Sequence, residues 1–195
     1  MKSCKQLSKI TIACPSNRGI QPRTYQCLLE LVAKGGYDFH LIVPSEGYTI
    51  AENRNYIAVQ AINNGSEYLL MIDDDMTFPS NMLDTLVSNG KDICGVSYHT
   101  RCEIGKITKN LDETHHLNLK DNKLFECKAT GTGIILIKCD IFKKIERPWF
   151  QFDYHDTGQC KLGEDWYFCK KAKKFNIKTF VDPTIKVGHL GENII

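Results

Sequence analysis

The sequence predicts an α/β protein with a mostly parallel central sheet covered by helices, and three observations lead there. Short apolar, β-branched runs alternate with stretches of helical period through the first hundred residues, as successive βαβ units do. Residues Tyr68–Ile72 are apolar at every position, the pattern of a strand covered on both faces. The length of 195 residues, 42% of them hydrophobic and 25% charged, suffices for one sizeable core. A single domain is therefore expected over residues 1–195, with a first half of about 1–97 and a second of about 98–195.

Residues 10–14 are a short apolar run stopped by Pro15. From Pro22 to Lys34, Cys27, Leu28, Leu31 and Val32 recur at helical spacing before Gly35-Gly36. Strand, loop, helix and stop follow in that order. Residues 39–43 predict a second strand closed by Pro44, and Ile57, Ala58, Ala61 and Ile62 mark a second helix that begins near Ile50 and ends at Asn64-Gly65. Tyr68–Ile72 runs directly into Asp73-Asp74-Asp75, after which residues 79–87 predict a helix and Ile93–Val96 a strand. The first half thus has a nucleotide-binding type of architecture. Residues 98–122 are polar and irregular. Strands are then expected at 124–127 and 134–137, the second preceded by Gly131-Thr132-Gly133. A short helix at 139–145, a polar loop at 151–161, a helix at 164–175 and closing strands at 179–181 and 185–187 complete the pattern.

Composition excludes several classes. With 25 Lys and Arg against 23 Asp and Glu, the formal charge of +2 does not suit a nonspecific polyanion binder, so nucleic acid is not an expected partner. Nine cysteines, an odd number with no C-x-x-C pair, argue against a zinc ribbon or a disulfide scaffold. Cys14, Cys94 and Cys169 fall in apolar stretches and suit buried thiols in a reducing compartment. No apolar run approaches the ~20 residues of a transmembrane helix, and the piece at 10–14 is too short for a signal-peptide core. A cytoplasmic location is the resulting expectation.

Three consecutive aspartates at the end of a buried strand repel one another, and a divalent cation is the natural compensation. In open α/β sheets ligands bind at the C-terminal ends of strands, where Asp73 and Asp75 would sit. Strand alternation would place those two on one side and Asp74 on the other. Hard carboxylate oxygens suit Mg²⁺ or Mn²⁺, ions that complete their shells with substrate phosphates and water. A solvated acidic turn is the alternative.

Four pieces occur in sequence: Ala13-Cys14-Pro15-Ser16 after the first strand, Glu52-Asn53-Arg54-Asn55 on a helix, Met71-Ile72-Asp73-Asp74-Asp75, and Gly163-Glu164-Asp165-Trp166 opening a late helix. With a terminal Val187-Gly188-His189, the set resembles the GT-A glycosyltransferases, especially compact bacterial and viral members related to inverting family 2. The resemblance implies a single Rossmann-like GT-A domain that moves a sugar from a nucleotide-sugar donor, UDP-sugar favoured, to a hydroxyl acceptor with inversion. It implies that Asp73 contacts ribose or metal-bound water, that Asp75 of the D-x-D coordinates Mn²⁺ or Mg²⁺ at the donor diphosphate, and that His189 adds a ligand. Pro15 and Ser16 would line the nucleoside pocket, with Asp74 beside the donor. Asp165 matches the catalytic base, and Glu164 would bind a substrate hydroxyl.

Other residues are read from chemistry. Arg54 lies three and four residues before Ile57 and Ala58, on the inward face of its helix, where it needs an anionic partner. Donor phosphate and Asp73 both qualify. Gly131-Thr132-Gly133 permits close approach of a sugar at Gly133, or is an ordinary turn. Trp149, within Pro148-Trp149-Phe150, offers a stacking wall for a sugar, or fills the core. Residues 151–161 are a candidate lid. His115-His116 lack further ligands at suitable spacing and read as loop. The chain has no obvious acceptor domain. Asp73-Asp74-Asp75-Met76-Thr77 also fits the D-x-D-x-T of haloacid dehalogenase phosphatases, with Asp73 as nucleophile, though that signature normally follows the first strand. A non-catalytic nucleotide-sugar-binding module is the remaining alternative.

Overall fold

The computed structural model describes residues 7–16, 19–43, 49–98 and 122–190. Strand β1 (Lys9–Ala13) leads through α1 (Pro22–Lys34) to β2 (Asp38–Ile42), and α2 (Ile50–Asn63) returns the chain to β3 (Tyr68–Ile72). These crossovers place β2 and β3 on either side of β1, both parallel to it, so that Ile10 faces Phe39 across one ladder and Tyr68 across the other. The chain then turns into the two-residue β4 (Met76–Thr77), followed by α3 (Met82–Ser88) and β5 (Ile93–Val96). From residue 122 onward come β6 (Phe125–Cys127), β7 (Ile134–Lys138), α4 (Asp140–Lys144), β8 (Asp153–Tyr154) and β9 (Cys160–Leu162). Helix α5 (Glu164–Lys174), β10 (Thr179–Asp182) and β11 (Gly188–His189) follow.

The central sheet has the order β2-β1-β3-β7-β5-β10-β6. Five of its strands point the same way, while β7 runs against β3 and β5, and β6 against β10. The expected mostly parallel sheet is therefore present, with an antiparallel strand at its centre. Wedging β7 between β3 and β5 sets Ile134 opposite Ile72 and Ile135 opposite Gly95. The glycine-rich start of β7 consequently lies beside the C-terminal end of β3, where the aspartates begin.

Period-2 alternation divides each central strand between two cores. Tyr68, Leu70 and Ile72 of β3 join Ile134 and Leu136 of β7 beneath α1 and α3, whose Leu28, Leu31, Met82 and Leu86 complete that layer. Leu69, Met71, Ile135 and Ile137 face the opposite way, against Ile57 and Ala61 of α2, Phe142 of α4 and Phe168 of α5. Each fully buried aliphatic side chain contributes about 1.5–3 kcal/mol. The layering therefore stabilises β3, which is buried at all five positions. Helix α2 starts at a capping box: Thr49 Oγ1 accepts the Glu52 N–H at 3.3 Å, and Glu52 Oε2 accepts the Thr49 N–H at 2.8 Å. That start fixes the rotation of the helix and so the direction of Arg54.

Three expectations need correction. Residues 185–187 form no strand; the pairing falls one step later, where Gly188–His189 meets Met76–Thr77 as β11 on β4. The polar loop at 151–161 carries the β8–β9 hairpin. Helix α3 begins at Met82, after Pro79. Two-residue strands are too short to leave a periodic signal. As expected, Cys14, Cys94 and Cys169 are buried thiols, and burial pushes those of Cys14 and Cys94 up to about 12. Among the described residues no helix is long and apolar enough to cross a membrane.

Candidate active site

The strand β3 stops at Ile72, and its three aspartates then diverge. The Asp73 N–H donates to the Gly133 carbonyl at 2.8 Å, and the Met76 N–H to the Asp73 carbonyl at 3.3 Å, which closes a turn around Asp74 and Asp75. The alternation expected from an extended strand does not apply, because the chain is already turning. Asp73 reaches Arg54, Asp74 accepts from the Ser16 hydroxyl at the end of β1, and Asp75 meets His189.

The last of these contacts comes from tertiary pairing. Met76 of β4 lies opposite His189 of β11, and the Leu190 N–H donates to the Asp75 carbonyl at 2.8 Å. His189 Nε2 is thereby held 3.3 Å from Asp75 Oδ1, with the Asp75 side chain 4% exposed and that of His189 16%. This donor set fits a divalent cation. Two ligands at right angles around an ion bonded at about 2.1 Å stand about 3.0 Å apart, close to the separation found here. Among the described residues no group of three His, Cys, Asp or Glu side chains could hold a metal ion; without one the two side chains form an ion pair if His189 is protonated, and a cation here would need its other ligands from substrate and water. Asp73, expected from the sequence beside the metal and the donor, has its Oδ1 on Arg54, while its side chain remains 33% exposed.

Arg54 is 3% exposed and bridges two elements. Its Nη2 donates to Asp73 Oδ1 at 3.1 Å, and its Nη1 donates to Glu164 Oε1 in the first turn of α5. Of the two partners considered for Arg54, Asp73 is present, and Glu164 is a second. Glu164, expected on a substrate hydroxyl, is 9% exposed and serves this bridge. Burial raises the Asp73 pKa, and the Arg54 guanidinium opposes that rise.

Next to Glu164, Asp165 accepts the Trp166 N–H on Oδ1 at 2.8 Å. Burial holds its carboxyl above the usual aspartate range, against the lowering effects of that N–H and of Arg54. A carboxylate raised in this way is a stronger base. Facing it is Tyr98, two residues beyond β5, which no sequence signal marked. The Tyr98 hydroxyl accepts the Gly133 N–H at 3.0 Å, and the ring meets His189 edge-on at 5.7 Å and 88°. A Cβ on Gly133 would fall 2.6 Å from Tyr98 Cζ. The close approach anticipated for a sugar at Gly133 is thus made by a tyrosine of the chain itself.

Pro15 and Ser16 are buried at the end of β1, beside Asp74 and α1, whose Gln21 N–H donates to the Asp74 carbonyl at 2.9 Å. Trp149 departs from its expected place on a sugar-binding wall. It is 2% exposed, its indole N–H donates to the carbonyls of Phe142 and Ile145, and its ring packs on Phe142. The reason is Asn55, whose Oδ1 accepts the N–H groups of Trp149 and Phe150 and pins both against α2. His115-His116 lies outside the described residues. In the phosphatase alternative the nucleophile would be Asp73, the carboxylate that Arg54 engages through Oδ1.

No family model matches the sequence, and no curated protein matches it. Solved structures share the fold. A197 from STIV superposes with a TM-score of 0.64 at 17% identity, over 93% of this chain and 85% of that one. GalNAc-T7, crystallised with UDP, GalNAc and Mn²⁺, gives 0.54 at 10% identity over 94% of this chain and 43% of that one. TarS 1-349 of S. aureus gives 0.51 at 12% identity, over 93% and 60%. Taken with the sheet order and the position of the aspartate turn at the end of β3, this likeness makes the architecture of the chain a GT-A-like α/β fold.

Proposed function

We propose that the chain is a metal-dependent glycosyltransferase that moves a sugar from a nucleoside-diphosphate donor, UDP-sugar by preference, to a hydroxyl acceptor with inversion. The observation that carries this reading is the Asp75–His189 pair, 3.3 Å apart at the C-terminal end of β3, with the burial-raised Asp165 at the nearby start of α5. GalNAc-T7, which shares the fold, holds UDP and Mn²⁺ in its crystals and lends support.

Asp75 and His189 would hold Mn²⁺ or Mg²⁺, and the bound ion would offset the charge gathering on the departing diphosphate. Pro15, Ser16 and Asp74 would line the nucleoside side of the site; the Ser16 hydroxyl donates to the Asp74 carboxylate. Asp165 takes the proton of the acceptor hydroxyl as that oxygen bonds to the anomeric carbon. The bond from that carbon to the diphosphate oxygen breaks, and nucleoside diphosphate leaves with the electron pair. Arg54 keeps Asp73 and Glu164 at fixed positions around this centre. Buried thiols at Cys14, Cys94 and Cys169 suit a cytoplasmic setting.

A panel of nucleotide sugars, each with and without Mn²⁺, tests the reading by thermal shift and by release of nucleoside diphosphate. One donor should stabilise the protein only with metal, and release of nucleoside diphosphate from it should need metal and rise when a hydroxyl acceptor is added. Hydrolysis of an aryl phosphate with no response to any nucleotide sugar would establish the phosphatase instead. Metal-dependent donor binding that Asp165→Asn leaves intact, with no diphosphate released by the native protein, would establish a binding module.

A further inference from the structure

We propose that Tyr98 is a positioning residue of this site: its ring, perpendicular to the His189 imidazole, keeps that imidazole facing Asp75, and its hydroxyl anchors the start of β7. The inference rests on the metal reading above only for the consequence to cation binding. Tyr98 reaches from the end of β5 to the first residues of β7. Its hydroxyl accepts the Gly133 N–H at 3.0 Å, and the carbonyl of that same glycine accepts the Asp73 N–H at 2.8 Å. The phenol is therefore two hydrogen bonds from the main chain of the first aspartate. On its other side the ring meets the imidazole edge-on at 5.7 Å and 88°, while Nε2 of that imidazole faces Asp75 Oδ1.

The glycines on either side of Thr132 are matched to this ring. Neither Gly131 nor Gly133 has the positive φ that would by itself favour glycine. What excludes a side chain at 133 is Tyr98 Cζ, 2.6 Å from where a Cβ would stand, and at 131 it is the Tyr98 hydroxyl. A perpendicular ring contact restrains the direction of a metal-binding histidine, and losing one weakens metal binding by about two- to tenfold.

The test uses the full chain and Mn²⁺ alone, titrated by electron paramagnetic resonance, together with NMR of the His189 ring and hydrogen exchange of the Gly133 amide in metal-free protein. Tyr98→Leu keeps bulk without an aromatic ring, and should weaken Mn²⁺ binding by about two- to tenfold while broadening the His189 ring signals. Tyr98→Phe keeps the ring, so it should leave Mn²⁺ affinity and the His189 ring signals as in the native chain, yet expose the Gly133 amide to exchange. Gly133→Ala should act like Tyr98→Leu, and should add little to Tyr98→Ala, since the ring it displaces is already gone. Unchanged His189 signals in Tyr98→Leu, or losses that simply add in the double variant, would overturn the proposal. If His189→Ala leaves Mn²⁺ affinity untouched, the metal reading falls, and the His189 signals and Gly133 exchange still decide the role of Tyr98.

Discussion

Replacing Arg54 by methionine removes a buried cation while keeping most of its volume, and it leaves two carboxylates without their shared partner. The side chain of Arg54 is 4% exposed and that of Glu164 11%, whereas Asp73 retains 33%. Breaking a buried ion pair from one side costs about 3–5 kcal/mol, because the orphaned charge stays desolvated. Most of that falls on Glu164; Asp73, still partly solvated, adds about 1 kcal/mol or less. Urea unfolding near neutral pH should therefore show a loss of about 3–5 kcal/mol. The loss should depend on pH. Without the guanidinium, Asp73, whose pKa burial already raises, loses the charge that opposes that rise, so the deficit is largest where the two carboxyls are ionised and shrinks as pH falls. Adding Glu164→Gln should recover part of the stability at neutral pH. A loss under about 1 kcal/mol, or one that grows as pH falls, would refute the account of Arg54 as the clasp between α2, β3 and α5.

Asp165→Asn should lower turnover by on the order of 10²–10⁴-fold with donor affinity unchanged. In the native protein the acid limb of kcat/KM should lie above the ordinary aspartate value of about 3.9, because the base works deprotonated and burial raises its pKa. Asp75→Asn and His189→Ala should each weaken Mn²⁺ binding by at least about tenfold and abolish the metal-dependent thermal shift with a UDP-sugar, measured by titration and melting. Trp149→Ala should cost about 3–5 kcal/mol in chemical denaturation, as a core truncation does, and leave the donor KM of the folded protein where it was. A raised KM without lost stability would return Trp149 to a sugar-binding role.

Some of the local geometry was legible because its signals are local. The uninterrupted apolar run of β3 ending in three acids marked a buried strand that runs into an acidic turn, and the inward phase of Arg54 on α2 called for an anionic partner. The failures share a different cause. Trp149 carries the same aromatic surface whether it stacks on a sugar or fills a core, and the deciding contact comes from Asn55, 94 positions earlier in the chain. Tyr98 stands at the edge of a polar stretch with no motif around it, and its meaning depends on glycines 33 and 35 residues further on. Such pairings leave no trace in hydrophobic period.

Residue order alone determined the alternation of strands and helices, the burial of β3 and the acidic turn at its end, because side-chain period and turn chemistry act over a few residues. Only the tertiary structure decided which carboxylate met which partner. Antiparallel insertion of β7 brought Gly133 to Asp73, the β4–β11 pairing carried His189 to Asp75, and Arg54 claimed Glu164 from the far end of the chain. Each of those choices depends on which strands become neighbours, a property of sheet order that no stretch of sequence contains.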